Sequence, residues 1–336
     1  MMICGILFDI DGVIVDSESF LAEACRIWFE KHGCHVTPED FLPYVGAGEN
    51  RYIGCVAEKY GLKIDIESAK LEVYRIFEQV ADGKTGFGKM PPMPGIVRFV
   101  SMARKAGLKL ALASSADRMK VEINLRSAGF VPKDFDFVIC GSQLKRKKPF
   151  GDIYTFSALN LGLSPDECIV VEDAVNGVMA ARAAGSESIA VLGSFEEEAL
   201  RAGGATIVLN NLEGFAEFDS VQSFNKEIDR LLSTQVESLF KQSFRDLPNG
   251  FKAAVVSSSA VYFGQEVPLE GETLSPIVSA VASGVASEGS KLKVRALVME
   301  SPDRLSLLRI RRYCGLDTRI FILEPDLSLS YFGWNV

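Results

Sequence analysis

The chain has 336 residues, a net charge of −8, 48% hydrophobic and 24% charged residues, a globular composition long enough for two or three domains. The acidic balance argues against nucleic-acid binding, which needs clustered Lys and Arg, and the one basic run, Lys145 to Lys148, is short. No stretch approaches the roughly 18 consecutive apolar residues of a membrane span, and no signal or transit pattern opens the chain, so a cytoplasmic protein without a membrane partner is expected.

The first element is an apolar strand at 3–8 that runs into FDIDGVIVDSES, Phe8 to Ser19. Asp9, Asp11, Asp16 and Glu18 then crowd four carboxylates together. Such a cluster costs stability unless a cation or a chemical task accounts for it. The register of a calcium loop fails here. From about 17 to 93 the pattern is helical, with helices expected at 17–32, 38–44, 49–60 and 67–81. The first ends near KHGCH, where His32 and His35 are the only histidines of the chain. A helix end with Gly33 just beyond it explains them without a metal. Asp16 or Ser17 is expected to cap that helix. The Gly- and Pro-rich DGKTGFGKMPPMPG, Asp82 to Gly95, closes the insert.

After it, strands at 109–114, 137–140, 168–172, 188–192 and 206–209 alternate with helices at 95–106, 117–128, 150–162, 174–184 and 195–202. That alternation predicts an α/β, doubly wound parallel sheet. The helical insert would then lie as a lid over the sheet's carboxyl edge, where such sheets bind ligands. Three domains are expected: a core of 1–16 and 94–220, a helical cap of 17–93, and a small α+β domain of 224–336. For the last, a helix at 224–244, strands at 251–258 and 260–265, a helix at 273–288, and strands at 293–300, 305–312 and 319–323 are read. This order is similar to roadblock or longin modules, which serve protein association. The seven cysteines are odd in number, scattered and free of C-x-x-C spacing, which fits reduced thiols.

Polar groups recur at the carboxyl ends of the core strands: Asp9 and Asp11 after the first, Ser114 and Ser115 after KLALA, Lys148 after FVIC, Glu172 and Asp173 after CIVV. Parallel pairing brings these ends together across more than a hundred residues. Two converging anionic groups call for a cation, and an all-oxygen ligand set suits magnesium better than zinc or copper. Taken singly, Lys148 would belong to a solvated charge run and Glu172–Asp173 to an acidic helix start.

DIDGVIVDSE, the LASS strand end, KKP and VVEDAVNG resemble, in order, the four motifs of the haloacid-dehalogenase superfamily, over residues 1 to about 215. The chain is similar to the β-phosphoglucomutase-like group with a helical cap. DFLPYVGAGE and LALASSADRMKVEINLRSAGF resemble the version of this domain in plant suppressor-of-quenching proteins. The resemblance implies a Rossmann-like core and a small phosphorylated metabolite as substrate. It implies Asp9 as nucleophile, Asp11 as general acid and base, and Lys148 as charge stabiliser. Ser114, the Ser115 amide and Lys148 would hold the phosphoryl group. Mg2+ would be bound by Asp9, Asp173 and the Asp11 carbonyl, with Glu172 supporting it directly or through water.

The same family contains mutases. Their cap histidine is replaced by Leu21, and their cap arginine position falls at Glu49, with Arg51 two residues on. Both departures favour a phosphatase. Glu49, Asn50 and Arg51, with Glu23 and Tyr52, are the cap residues expected to meet the substrate. The alternatives are a β-phosphoglucomutase-like phosphotransferase, and a catalytically minor protein whose C-terminal module mediates association with a partner or with itself.

Overall fold

The computed structural model describes residues 2–44 and 48–243, and beyond these 253–256, 261–264, 267–269, 272–274, 280, 296–299, 319–323 and 329–331. The chain divides into two compact units, Met2–Phe224 and Asn225–Val336.

The first unit opens with strand β1 (Gly5–Phe8), followed by cap helices α1 (Glu18–Lys31), α2 (Glu49–Lys59) and α3 (Ile66–Ala81). It continues α4 (Ile96–Lys105), β2 (Lys109–Ala113), α5 (Arg118–Ser127), β3 (Phe137–Ile139), α6 (Asp152–Asn160), β4 (Cys168–Glu172), α7 (Val175–Ala184), β5 (Glu187–Val191), α8 (Glu197–Gly203) and β6 (Ile207–Leu209). Six strands form one sheet in the order β3-β2-β1-β4-β5-β6, every pairing parallel. Such strands are covered on both faces and read as continuous apolar runs. Ile6, Leu7, Phe8, Ala111, Leu112, Val170 and Val171 are accordingly all buried. On one face Leu7, Ala113 and Val170 pack against Tyr154 and Ala158 of α6 and Ala180 and Ala181 of α7. Elsewhere Phe8 meets Phe99 of α4, which joins Phe215, Phe218 and Phe224 in an aromatic cluster.

The strand order reverses direction at β1, between β2 and β4. Loops on either side of such a point turn away from each other and leave a crevice at the carboxyl ends. β1 and β4 are hydrogen-bonded neighbours there, with Phe8 beside Val171. Asp9 and Glu172 therefore leave the sheet side by side.

The cap is held by its own contacts. α1 and α3 are tied by the Trp28 indole donating to Glu72 at 2.8 Å, and Phe41 stacks on Tyr52. Asp65 caps α3 by accepting from the Ser68 amide at 2.9 Å. The helix expected at 38–44 is instead two 3-10 turns, Pro38–Asp40 and Leu42–Tyr44. Pro43 lacks the amide a continuous helix would use and disfavours the helical region for its predecessor.

The second unit contains most of α9 (Val221–Ser243), and strands β7 (Ala253–Val256), β8 (Val261–Gly264), β9 (Val267–Leu269), β10 (Glu272–Leu274), β11 (Ala296–Met299), β12 (Arg319–Leu323) and β13 (Leu329–Tyr331). Five of them form a sheet in the order β13-β12-β11-β7-β8, parallel only between β11 and β12. The helix expected from 273 is overturned at its start. Glu272–Leu274 is a strand paired antiparallel with Val267–Leu269, and the two residues separating them include Gly271, a hairpin signal. The remainder of that segment, apart from residue 280, and the strand expected at 305–312 lie outside the described residues.

Candidate active site

Asp9 follows β1 directly, its amide donating to the Val171 carbonyl at 2.9 Å, and it is 7% exposed. The Lys148 ammonium lies between two carboxylates, 2.5 Å from Asp9 Oδ1 and 2.6 Å from Glu172 Oε1. The Tyr154 hydroxyl donates to the same Glu172 oxygen at 2.8 Å. Glu172 Oε2 accepts from the Asp173 and Ala174 amides, both at 2.9 Å. Each Glu172 oxygen therefore already carries two donors. Two glycines make this packing possible. A Cβ on Gly177, in the first turn of α7, would fall 1.6 Å from Glu172 Oε1. One on Gly12, at φ +76°, would fall 2.0 Å from Asp173 Oδ2.

Oxygens of Asp9, Glu172 and Asp173 lie within 4.8 Å of one another. Burial, with the neighbouring carboxylates, pushes both Asp9 and Asp173 above the usual carboxylate range, although Lys148 acts in the opposite direction. Burial alone would lower Lys148, yet Asp9 and Glu172 outweigh it and raise the ammonium well above its ordinary value. One permanent cation thus faces two buried acids, Asp9 and Glu172, and the half-buried Asp173. A hard divalent cation fits this oxygen set and would relieve the repulsion that raises Asp9 and Asp173. Asp9 and Asp173 would be its better placed inner ligands, because each Glu172 oxygen already accepts from two donors. The Asp11 carboxylate is not part of the cluster.

Asp11 is turned elsewhere. Its Oδ1 accepts from the Ser17 hydroxyl, from Asn124 Nδ2 at 3.0 Å and from Lys120 Nζ at 3.0 Å. Burial alone would raise Asp11, but Lys120 and these hydrogen bonds prevail and hold it below the usual range. At the end of β2, Ser114 is buried with its hydroxyl accepting from the Ala116 amide at 3.1 Å, whereas Ser115 opens onto the central cavity. That cavity, of about 490 Å³, is also lined by Asp9, Asp11, Lys148, Glu172 and Asp173.

The cap residues expected to meet substrate are placed less directly. Gly48 lines the cavity, but Glu49 faces Lys120 at 3.4 Å. Asn50 bonds Glu67 at 3.1 Å and Lys70 at 2.9 Å, and Arg51 is exposed. Asp16, expected with Ser17 as a candidate cap of the helix, lines the cavity, and so does Glu18. Ser17 stands at the helix N-cap position without capping it, because its hydroxyl is committed to Asp11.

Residues 6–191 match the family described as haloacid dehalogenase-like hydrolase. The chain belongs to that family. Hexitol phosphatase A of Escherichia coli is 32% identical over 62% of this chain and 91% of its own length. The chloroplastic protein suppressor of quenching 1 of Arabidopsis thaliana is 36% identical over 62% of this chain, and the match spans 20% of that longer protein. Among solved structures, CbbY from Rhodobacter sphaeroides in complex with phosphate is 25% identical, with a TM-score of 0.56 over 64% of this chain and 97% of its own.

In this haloacid dehalogenase-like hydrolase, four contributors escaped the reading of strand ends: Ser17, Lys120, Asn124 and Tyr154. Lys120 and Asn124 carried a usable signal. They lie four apart on α5 among buried Val121, Ile123 and Leu125, so they share one helix face and are polar where the face should be apolar. Tyr154 carried none, since a tyrosine on an apolar helix face is ordinary. Among the described residues, no helix is long and apolar enough to cross a membrane.

Proposed function

We propose that the chain is a Mg2+-dependent phosphatase that hydrolyses a small phosphomonoester, a sugar or polyol phosphate, through an aspartyl-phosphate on Asp9. The observation that carries this reading is the Lys148 ammonium held between Asp9 and Glu172 at the switch point of the sheet. A carboxylate attacks a phosphate dianion only where positive charge offsets the repulsion, and Lys148 touches the attacking group itself. In the first step an Asp9 oxygen bonds to phosphorus as the bond from phosphorus to the alcohol oxygen breaks, and Asp11 gives that oxygen its proton. In the second, water bonds to phosphorus, Asp11 takes the water proton, and the bond to Asp9 breaks to release inorganic phosphate. The lowered Asp11 suits this second step, in which it must begin ionised, and works against the first, in which it must begin protonated. Ser114 and the Ser115 amide would hold phosphoryl oxygens. Mg2+, held by Asp9, Asp173 and the Asp11 carbonyl with Glu172 in support, would supply the remaining positive charge between nucleophile and phosphoryl group.

The polyol or sugar class is supported by the hexitol phosphatase relative. Hydrolysis over mutase chemistry is supported by Leu21, buried on α1, and by Glu49, which faces Lys120. Phosphate release from a panel of hexitol and hexose phosphates, with and without Mg2+, tests the reading. Release should depend on the metal, and Asp9→Asn should lower it by at least about 10³-fold. Undiminished turnover by Asp9→Asn would sink the aspartyl-phosphate. Interconversion of hexose phosphates without phosphate release would favour the mutase.

A further inference from the structure

Lys120 has no place in the scheme just given, yet it is among the most buried charges of the protein, 5% exposed. It projects from α5, and its ammonium lies 3.0 Å from Asp11 Oδ1 and 3.4 Å from Glu49 Oε1. These two carboxylates belong to different parts. Asp11 sits in the loop after β1, and Glu49 is the first residue of cap helix α2, directly after Gly48 at φ +86°. One turn further along α5, fully buried Asn124 donates to the same Asp11 oxygen at 3.0 Å, while its own Oδ1 is buried without a partner among the described residues. A buried amide left half-satisfied is costly and needs a reason. Here the amide is oriented for Asp11 at the expense of its own acceptor.

We propose that Lys120 is a positioning residue that couples the cap to the acid–base, bridging Glu49 and Asp11 so that Asp11 is aligned when the cap is in place. The proposal rests on Asp11 being the acid–base. Three donors, from Ser17, Lys120 and Asn124, converge on Asp11 Oδ1. The carboxylate is thereby fixed in rotation, and its second oxygen is the one available to the departing alcohol. Two of these donors come from the core helix α5 and one from the entrance to the cap. Only the Lys120 ammonium also touches the far side of the cap, at Glu49. A cap that lifts takes Glu49 away and leaves Lys120 with one partner in place of two. The ammonium is then no longer held from both sides, and one of the three donors that fix Asp11 loses its set position. Proton delivery before closure would be wasted on solvent, so such a coupling has a clear use.

A residue that merely balances buried charge would act on all substrates alike. A residue that aligns a proton donor acts most on leaving groups that need the proton. Phenyl phosphate and p-nitrophenyl phosphate have nearly the same shape but differ in this need, since p-nitrophenolate departs readily without protonation. The rate of acyl-phosphate formation in a first turnover is therefore measured with both. Lys120→Met should lower the rate with phenyl phosphate by about 10-fold and with p-nitrophenyl phosphate by less than about 2-fold. Glu49→Gln, which breaks only the cap side, should show the same preference at about 3-fold. If Lys120→Met fails to fold because Glu49 is left unpaired, the double variant Lys120→Met/Glu49→Gln removes that charge and must show the preference. Equal losses on both substrates would overturn the proposal, and so would a preference in Lys120→Met that is absent in Glu49→Gln. Asp11→Asn is the control. If it shows no preference for the better leaving group, the acid–base reading itself fails; if it shows one and Lys120→Met does not, only the role of Lys120 fails.

Discussion

The floor and the roof of the cavity hold their charges by different means. On the floor, Asp9 and Glu172 issue from adjacent strands whose register is set by the sheet, and Lys148 reaches both. Glu172 is held further by two backbone amides and a buried tyrosine. At the roof, Glu49 of cap helix α2 meets Lys120 of the core helix α5 through long side chains on two helices. Strand ends fix a carboxylate to within the play of a short side chain, whereas helices bring charges together that separate when the helices shift. The floor is built for fixed geometry, the roof for contacts that can be exchanged. Changes to the floor should therefore be felt as chemistry out of proportion to their size, and changes to the cap as stability or coupling.

Among changes that leave the reacting groups in place, the largest effect is expected from the smallest addition. Gly177→Ala places a methyl group where Glu172 Oε1 now lies, 1.6 Å away. Either α7 retreats or the carboxylate swings out, and Lys148 and the Asp173 and Ala174 amides lose their common acceptor. Displaced support of this kind typically costs 10- to 100-fold in metal affinity or activity. Turnover should fall by about 100-fold, with the Mg2+ concentration for half-maximal rate rising in parallel, while the circular dichroism of the folded chain is retained. An alanine variant of unchanged metal dependence would show that Glu172 does not need its present position.

Tyr154→Phe probes the same carboxylate more gently. It removes one of four hydrogen bonds to Glu172 and leaves the ring beneath Lys148, which lies 5.0 Å from its centroid. A hydrogen bond to a charged group contributes roughly 1.5–3 kcal/mol, but Glu172 keeps three other donors. A fall in kcat of about 3- to 10-fold with little change in KM is expected. An equal loss in KM and none in kcat would place Tyr154 in substrate binding instead.

The contrast between floor and roof is also a contrast in what the sequence reveals. Asp9, Lys148, Glu172 and Asp173 stand at the ends of apolar runs, and parallel pairing leaves such ends only one edge on which to meet. Lys120 and Asn124 depend on which face of α5 turns inward, and Tyr154 on how α6 lies against β4. Neither follows from position in the chain alone. Glu49 and Asn50 show the opposite difficulty. The hinge pattern pointed to them as substrate contacts, but both find partners within the protein, Lys120 for one and Lys70 with Glu67 for the other. In the second unit the strand at 319–323 was legible from its alternation-free apolar run, while β9 and β10 are only three residues each, and the end of β10 was absorbed into the helix expected from 273.

Asp40 supplies the cap's half of the contrast, with stability as the readout. Lys59 and Tyr60 of the following segment and the Thr37 amide all donate to its carboxylate. The Lys59 hydrogen bond, followed by that of the Thr37 amide, holds Asp40 down at about 2, against 3.8 for a free side chain. A carboxylate depressed in the folded state stabilises it fully above the unfolded value, and that contribution is lost as pH falls through the folded one. The window is therefore between about 4 and 2. Lys59 is more than half exposed, so solvent screens much of the attraction, and Asp40→Asn should lower Tm by only about 3 °C at neutral pH. The difference from the parent should hold steady above pH 5 and shrink toward nothing as the pH approaches 2. Steady-state turnover at neutral pH should not change, because none of the Asp40 partners lines the cavity. A Tm difference that stays constant down to pH 2 would mean that shape, not charge, is what Asp40 contributes. A loss of turnover would mean that the cap's outer network reaches the floor, and the division between the two regions would have to be redrawn.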